Sequence, residues 1–307
     1  MRSTRSFRAL SIGAAFLLMA GSPSPAAAAP LPKAPNCPVF PADNVWNEPV
    51  DTLPVRSDSE TLKATIGLNA SLHPDFGSYA GYGIPFNVVG AGTPKYTVPF
   101  KWPGQSDAGP YPIPANPKIE GGSDKHLLVV DKSTCKLYEL YDVRKTSAGW
   151  RADSGAIWDM NSNHLRPKGW TSADAAGLPI LPGLVRYDEV ASGVIDHALR
   201  FTAETTRDAF IYPARHEAGD GNGADLPPMG LRVRLKASVD ISGFGPQARV
   251  ILQALKTYGM ILADNGTSWY VTGASNPNFD DADLHLLQQI HGSDFEVVDT
   301  SSLRNGS

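Results

Sequence analysis

The chain has 307 residues, with 27 Lys+Arg against 31 Asp+Glu and a formal charge of −4. Leaving out Arg2, Arg5 and Arg8 of the N-terminal leader takes it to about −7, a balance that disfavours nucleic acid or an anionic membrane surface as a partner. No G-x-S-x-G, H-E-x-x-H, G-x-x-x-x-G-K-[ST] or strand-to-helix dinucleotide fingerprint occurs, which argues against a serine-hydrolase elbow, the commonest zinc-protease pattern and nucleotide cofactors.

Residues 1–28 have the three-part layout of a secretory signal: three arginines, an apolar run over 9–20, and small residues ending in AAAAP, with cleavage expected after Ala28. The apolar run is about a dozen residues where roughly 20 are needed to cross a bilayer, so export without a membrane anchor is expected. Cys37 and Cys135 are the only cysteines, and in an exported chain such a pair is expected to form a structural disulfide.

Residues 29–122 are dense in Pro and Gly, PFKWPGQSDAGPYPIPANPKIEGG being the extreme, which predicts a loop-rich wrap with one short helix at 57–66. The body, 123–307, is patterned for strands. HLLVVD and KLYELYDV predict a hairpin, GWRADSGAIWDM a further strand, and RYDEVAS a short turn of helix. GVIDHALRFT and the stretch ending in YPARH predict two paired strands, with His197 on the apolar side beside Ile195, Leu199 and Phe201 and with Asp196 and Arg200 opposite. LRVRLKASVDI alternates Leu231, Val233 and Leu235 against Arg232, Arg234 and Lys236, which predicts one buried face and one exposed basic face. GPQARVILQALKTYG predicts a helix opened by Pro246 and stopped by Gly259. MILADNGTSWYVT predicts a hairpin turning at Asn265-Gly266, followed by a helix over 281–291 capped by Asp280 and a closing strand FEVVD. The expected architecture is a single β-rich α+β domain, mostly antiparallel and sandwich-like, with a few packed helices.

Candidate chemistry falls into five groups. His197, Tyr212, Arg215 and His216 would unite a base, a phenol and a cation if their strands pair, a set suited to proton abstraction beside a neutralised carboxylate; the plainer reading makes His197 a hydrogen-bonded core residue. GAIWDMNSNHLRP sets Asp159, His164 and Arg166 in a loop after a strand bearing Trp158; loops held by a sheet commonly carry sites, and Asx-rich turns also bond their own backbone. Trp158 and Trp170 could stack on sugar faces or fill a core. Asp264 could pair with Asp159 or Asp196 as the two carboxyls of a glycosidase, or serve its Asn-Gly turn. DGNGAD offers Asp220, Asn222 and Asp225 as a thin calcium signal without the full ligand order; no other cofactor is expected.

AGLPILPGL, DHALRF, PARH and ALKTYGM, spread over residues 155–299, resemble segments of a group of exported bacterial proteins. The resemblance implies export, one domain and work on extracellular polymers, and it implies no particular reaction. The expected function is a secreted carbohydrate-active enzyme cleaving a polysaccharide, with Asp159, Asp196 and Asp264 supplying the acids of a hydrolase. Two alternatives are a lyase using His197, Tyr212 and Arg215 and a non-catalytic glycan-binding or envelope protein. The spatial expectation is that His197 and the loop opening at Asp159 border one cleft, with His164, Arg166, Trp158, Trp170 and His216 contacting substrate.

Overall fold

The computed structural model describes residues 28–303, so the expected leader over 1–28 lies, but for Ala28, outside the described residues. Fourteen short strands are described: β1 (His73–Asp75), β2 (Phe86–Val89), β3 (Lys95–Tyr96), β4 (Tyr111–Pro112), β5 (Leu127–Asp131), β6 (Lys136–Tyr141), β7 (Arg144–Thr146), β8 (Gly149–Arg151), β9 (Ser154–Asp159), β10 (Leu199–Ala203), β11 (Arg232–Leu235), β12 (Met260–Asn265), β13 (Tyr270–Thr272) and β14 (Phe295–Val297). Four α-helices accompany them: α1 (Ser59–Ile66), α2 (Tyr187–Ser192), α3 (Pro246–Thr257) and α4 (Asp281–His285). Seven of the ten strand pairings are antiparallel, so the fold is α+β, β-rich and mostly antiparallel, with mixed sheets.

The larger sheet has the order β1-β13-β10-β12-β11-β14. One face is apolar: Leu199, Phe201, Val271, Leu262, Val233 and Phe295 pack with Ile251, Leu252 and Leu255 of α3. Burying side chains of this size stabilises the fold by about 1.5–3 kcal/mol each. Pro246 opens α3, as the sequence predicts, because its missing N–H falls where a helix has no acceptor. Asp280 caps α4 by accepting from Ala282 N and Asp283 N.

The smaller sheet, β2-β5-β6-β9, is covered on both faces. Leu128, Val130 and Leu137 face one apolar cluster, while Leu127, Val129 and Leu140 face another, which is why LLVV reads as a continuous apolar run rather than an alternation. The predicted disulfide is present, linking Cys37 to Cys135 across 98 residues and tying the 31–40 segment to the loop between β5 and β6.

Segment 172–185, which contains AGLPILPGL, joins the two sheets: Ala176, Leu178 and Val185 belong to the core of the larger sheet, and Ile180, Leu181 and Leu184 to that of the smaller. Its glycines are required by close approach. A Cβ on Gly183 would lie 2.8 Å from the Trp46 ring and 2.9 Å from Arg200 Cβ, and Gly177 sits at φ +68 with the Trp170 carbonyl 2.4 Å from where its Cβ would be.

Three local expectations are corrected. MILADNGTSWYVT is not a hairpin: β10 inserts between β12 and β13, parallel to the first and antiparallel to the second, and residues 266–269 pass around its end, with Trp269 N donating to Thr202 O. The stretch ending in YPARH is not a strand, and β10 begins only at Leu199, so His197 precedes the ladder instead of sitting within it. The basic face of LRVRL is covered: Arg232 is buried and donates to the carbonyls of Tyr258, Val45 and Glu48, while Arg234 donates to Val50 O and Leu53 O and pairs with Glu296. Its guanidiniums supply donors to loop carbonyls that lack a strand partner, a use that alternation alone does not reveal.

Candidate active site

The polar face of the larger sheet gathers side chains from four strands. Arg200 on β10 donates from Nη1 to Thr272 Oγ1 of β13 at 2.6 Å. Asp75 on β1 pairs in register with Thr272, and Asp264 on β12 pairs in register with Thr202. Below them Asp174, carried by the joining segment and buried, accepts from Arg200 Nε at 3.1 Å and Nη2 at 2.8 Å. Arg200 Nη2 also lies 3.5 Å from Asp264 Oδ2. One guanidinium is thus shared between two carboxyl groups, in the forked geometry that suits it.

The smaller sheet and the segment before it add further polar groups to the cluster. His126, just before β5, meets Glu120 Oε2 through Nδ1 at 2.7 Å and Ala173 O through Nε2 at 3.0 Å. Both ring nitrogens face acceptors, so both carry protons and the ring is an imidazolium. Burial opposes that charge, but the hydrogen bond and charge of Glu120 outweigh it and raise His126 above its ordinary value. Burial likewise works against the Glu120 carboxylate, and the bonds from His126 overcome it, holding Glu120 below the usual carboxylate range. Glu139 on β6 points into the same region and accepts from Ile180 N and Leu181 N; burial pushes it up to about 7.

Asp264 differs from its neighbours in remaining reachable, its side chain 23% exposed against 0% for Asp174. Burial and the adjacent Asp174 push Asp264 up to about 7, with Arg200 and His126 opposing. Glu120, 17% exposed, and the half-buried Asp75 are the other carboxyls of this cluster that meet solvent. A carboxylic acid that keeps its proton near neutral pH, in one cluster with a carboxylate held ionised, is a division of labour that acid–base catalysis uses.

Two further features border this cluster. His73 stacks on Tyr270 with ring centroids 4.2 Å apart, accepts at Nδ1 from Gln288, and meets Tyr82 Oη through Nε2 at 2.8 Å; burial holds it below its ordinary value and raises neighbouring Asp75. Trp102, 41% exposed, stacks on Tyr141 at 6.3 Å and 11°. The Tyr141 ring lies 5.6 Å from the His126 ring, which sets the aromatic pair at the edge of the cluster, and burial raises the Tyr141 phenol.

Most of the side chains singled out in the sequence lie elsewhere. His197 is sealed from solvent, its Nδ1 bonded to Ala198 O at 2.8 Å and its Nε2 to Glu189 Oε2 at 3.1 Å, with Arg186 on the other oxygen of Glu189. It is a hydrogen-bonded core histidine, and it does not meet the 155–167 loop around a solvent-open hollow. Asp159 is exposed and accepts from Asn161 N, the Asx turn that the composition of the loop permits. His164 is exposed at that loop's tip. Arg166 is buried, donating to Asp107 and to the carbonyls of Gln105 and Thr171, and lies between the rings of Trp158 and Trp170 at 5.6 and 5.5 Å, so these three side chains brace one another. Asp196 accepts from Tyr258 Oη at 3.4 Å. Tyr212 is partly buried in the field of Glu48 and Arg232.

Arg215 and His216 act at one remove. Their backbone N–H groups both donate to Ala176 O, Arg215 Nε donates to Arg166 O at 2.8 Å, and His216 Nδ1 donates to Ala175 O at 2.9 Å, which pins the loop that carries Asp174. Among the described residues no group of three or more His, Cys, Asp or Glu side chains is placed to hold a metal, so Asp220 and Asp225, flanking Asn222, are not members of one. Of the original candidates only Asp264 belongs to the acid cluster. Glu120, His126, Arg200, Asp174, Glu139 and Asp75 were missed. Arg200 carried a usable signal, since alternation already set it on the polar side of a strand.

No family model, curated protein or solved structure matches this chain, so the functional reading rests on its own residues.

Proposed function

We propose that this chain is a secreted glycoside hydrolase that cleaves an extracellular polysaccharide at the Asp264 cluster. The observation that carries the reading is the contrast between two solvent-reaching carboxyls: Asp264, pushed up to about 7, and Glu120, held down by its bonds to His126. In this reading Asp264 gives its proton to the oxygen of the leaving sugar, and Glu120 either activates a water or attacks the anomeric carbon. Arg200 is already committed to Asp174, Thr272 and Asp264, so it keeps the acid oriented while the proton moves. Trp102, 41% exposed, has Tyr141 stacked on it and the Lys101 ammonium 4.6 Å over its ring, so a sugar that stacks there would displace Lys101. The disulfide fits an oxidising compartment, in keeping with export.

The test is digestion of a panel of soluble polysaccharides by wild type, Asp264→Asn and Glu120→Gln, reading reducing ends and ultraviolet absorbance. Reducing ends without an absorbing unsaturated product, lost in both variants, are expected. Cleavage that both variants retain contradicts the assignment, an absorbing product marks eliminative cleavage, and binding without cleavage by wild type favours a glycan-binding protein.

A further inference from the structure

A groove of about 750 Å³ opens elsewhere on the surface, between Pro32 and Lys33 on one side and the 85–88, 114–119, 186–188 and 274–277 segments on the others. Its size falls within the roughly 300–1,000 Å³ of small-molecule sites. The charged residues lining it are Lys33, Lys118, Arg186 and Asp188; with Arg186 paired to Glu189, the two lysines leave a small local excess of positive charge on a chain whose net charge is −4. Such a local excess attracts anions against the field of the rest of the protein.

Arg186 makes the groove more than a collection of surface lysines. Its side chain is 1% exposed and donates from Nη2 to Ala29 O at 2.7 Å and to Glu189 Oε1 at 2.6 Å. Its Nη1 is buried without a hydrogen-bond partner, and its Nε, also buried, stands 3.6 Å from Asp188 Oδ2, long for a hydrogen bond but within ion-pair distance. A buried guanidinium donor is rarely left unpaired, and an anionic oxygen is its natural complement; Nε and Nη1 face different sides of the guanidinium, so Nη1 is the donor left for a ligand. Burial raises Asp188, and the charge of Arg186 beside it opposes that shift. Phe86 and Tyr187, both half-buried, and the prolines at 85, 114, 117 and 277 give the walls rigid apolar faces of the kind that cover the C–H side of a sugar ring.

We propose that this groove binds a carboxylate-bearing sugar, a hexuronate within a glycan, with its carboxylate held by Arg186, Lys33 and Lys118 and its ring against Phe86 and Tyr187. The site is separate from the Asp264 cluster and does not depend on the reaction there. The two are neighbours along the chain, since Lys118 and Ile119 line the groove while the next residue, Glu120, turns to His126.

Isothermal titration of the purified protein with trigalacturonate, maltotriose and inorganic phosphate tests this. Saturable binding of trigalacturonate is expected, with at least tenfold weaker binding of maltotriose and of phosphate. Lys33 and Ala80 are exposed, so Lys33→Glu and Ala80→Trp can be made without disturbing the core; the first should weaken trigalacturonate binding about tenfold by reversing a charge, and the second should abolish it by filling the groove. Asp188→Asn should tighten it, and Asp264→Asn should leave it unchanged. Equal affinity for maltotriose, phosphate binding as tight as trigalacturonate, no binding at all, or indifference to Lys33→Glu and Ala80→Trp overturns the proposal. Loss of binding in Asp264→Asn does so as well, because it moves the ligand to the other site.

Discussion

Replacing Asp264 by Asn should remove cleavage and at the same time flatten the pH dependence of folding. The folded carboxyl sits at about 7 against an ordinary value of 3.8. A raised folded value means that the native state binds this proton more tightly than the unfolded chain does, so stability falls as pH climbs from about 4 to about 7 and levels off above. At about 1.4 kcal/mol per pH unit the full penalty approaches roughly 4 kcal/mol, of which roughly 2–3 kcal/mol accrues between pH 5 and pH 8. Asn cannot ionise, so the variant escapes that loss. Urea unfolding of both proteins at pH 5 and pH 8 should show the stability of Asp264→Asn relative to wild type rising by roughly 2–3 kcal/mol between the two conditions, whatever its absolute value at either. A cleavage rate reduced by about 10²–10⁴-fold should accompany it if the carboxyl is the proton donor. A relative stability that is the same at pH 5 and pH 8 would refute the claim that burial beside Asp174 holds this acid protonated.

Other consequences are equally open to measurement. The profile of kcat/KM for a cleaved glycan should fall above pH 7 as Asp264 loses its proton and stay level in the acid direction until below the usual carboxylate range, where Glu120 titrates; a profile that rises through pH 7–9 would reverse the two roles. His197→Ala should destabilise by about 3–5 kcal/mol, because it leaves Glu189 buried with only part of its partnership, while activity per folded molecule stays near wild type; a large loss of kcat with normal unfolding would restore His197 to the chemistry. Replacing Cys37 and Cys135 together by Ser should cost about 4–5 kcal/mol in denaturant unfolding, since the bridge closes a loop of 98 residues, and a midpoint unchanged by reduction would contradict this.

How far the sequence foretold these features depends on whether the deciding interaction is local. α3 is legible because Pro246, its apolar stripe and the glycine after it all lie within one segment. The continuous run over β5 is legible as a buried strand for the same reason. The topology of the larger sheet is not, because the insertion of β10 between β12 and β13 is a long-range pairing, and Asn-Gly after an apolar strand reads as a hairpin until that third strand is known. The error carries directly into the site: with β12 and β13 paired to each other, nothing brings Arg200 to Asp264. His197 was rightly noticed as a break in the apolar pattern, and its partners, Glu189 and the Ala198 carbonyl, satisfy it inside the core. Glu120 and His126 gave no sign, because a glutamate in a Pro/Gly-rich stretch and a histidine at the mouth of a strand become a pair only through the turn that joins them. Arg232 shows the converse, a charged residue in an alternating strand whose outer face is closed by a segment some 180 positions earlier in the chain.

The account stands most directly on the protonation state of one side chain. A carbon-13 titration of the aspartate carboxyls by NMR, with Asp264→Asn used to assign the resonance, reads it without any substrate. A midpoint near 7 is the predicted result. A midpoint in the ordinary carboxylate range, near 4, would contradict it, for Asp264 would then be ionised at neutral pH and have no proton to give.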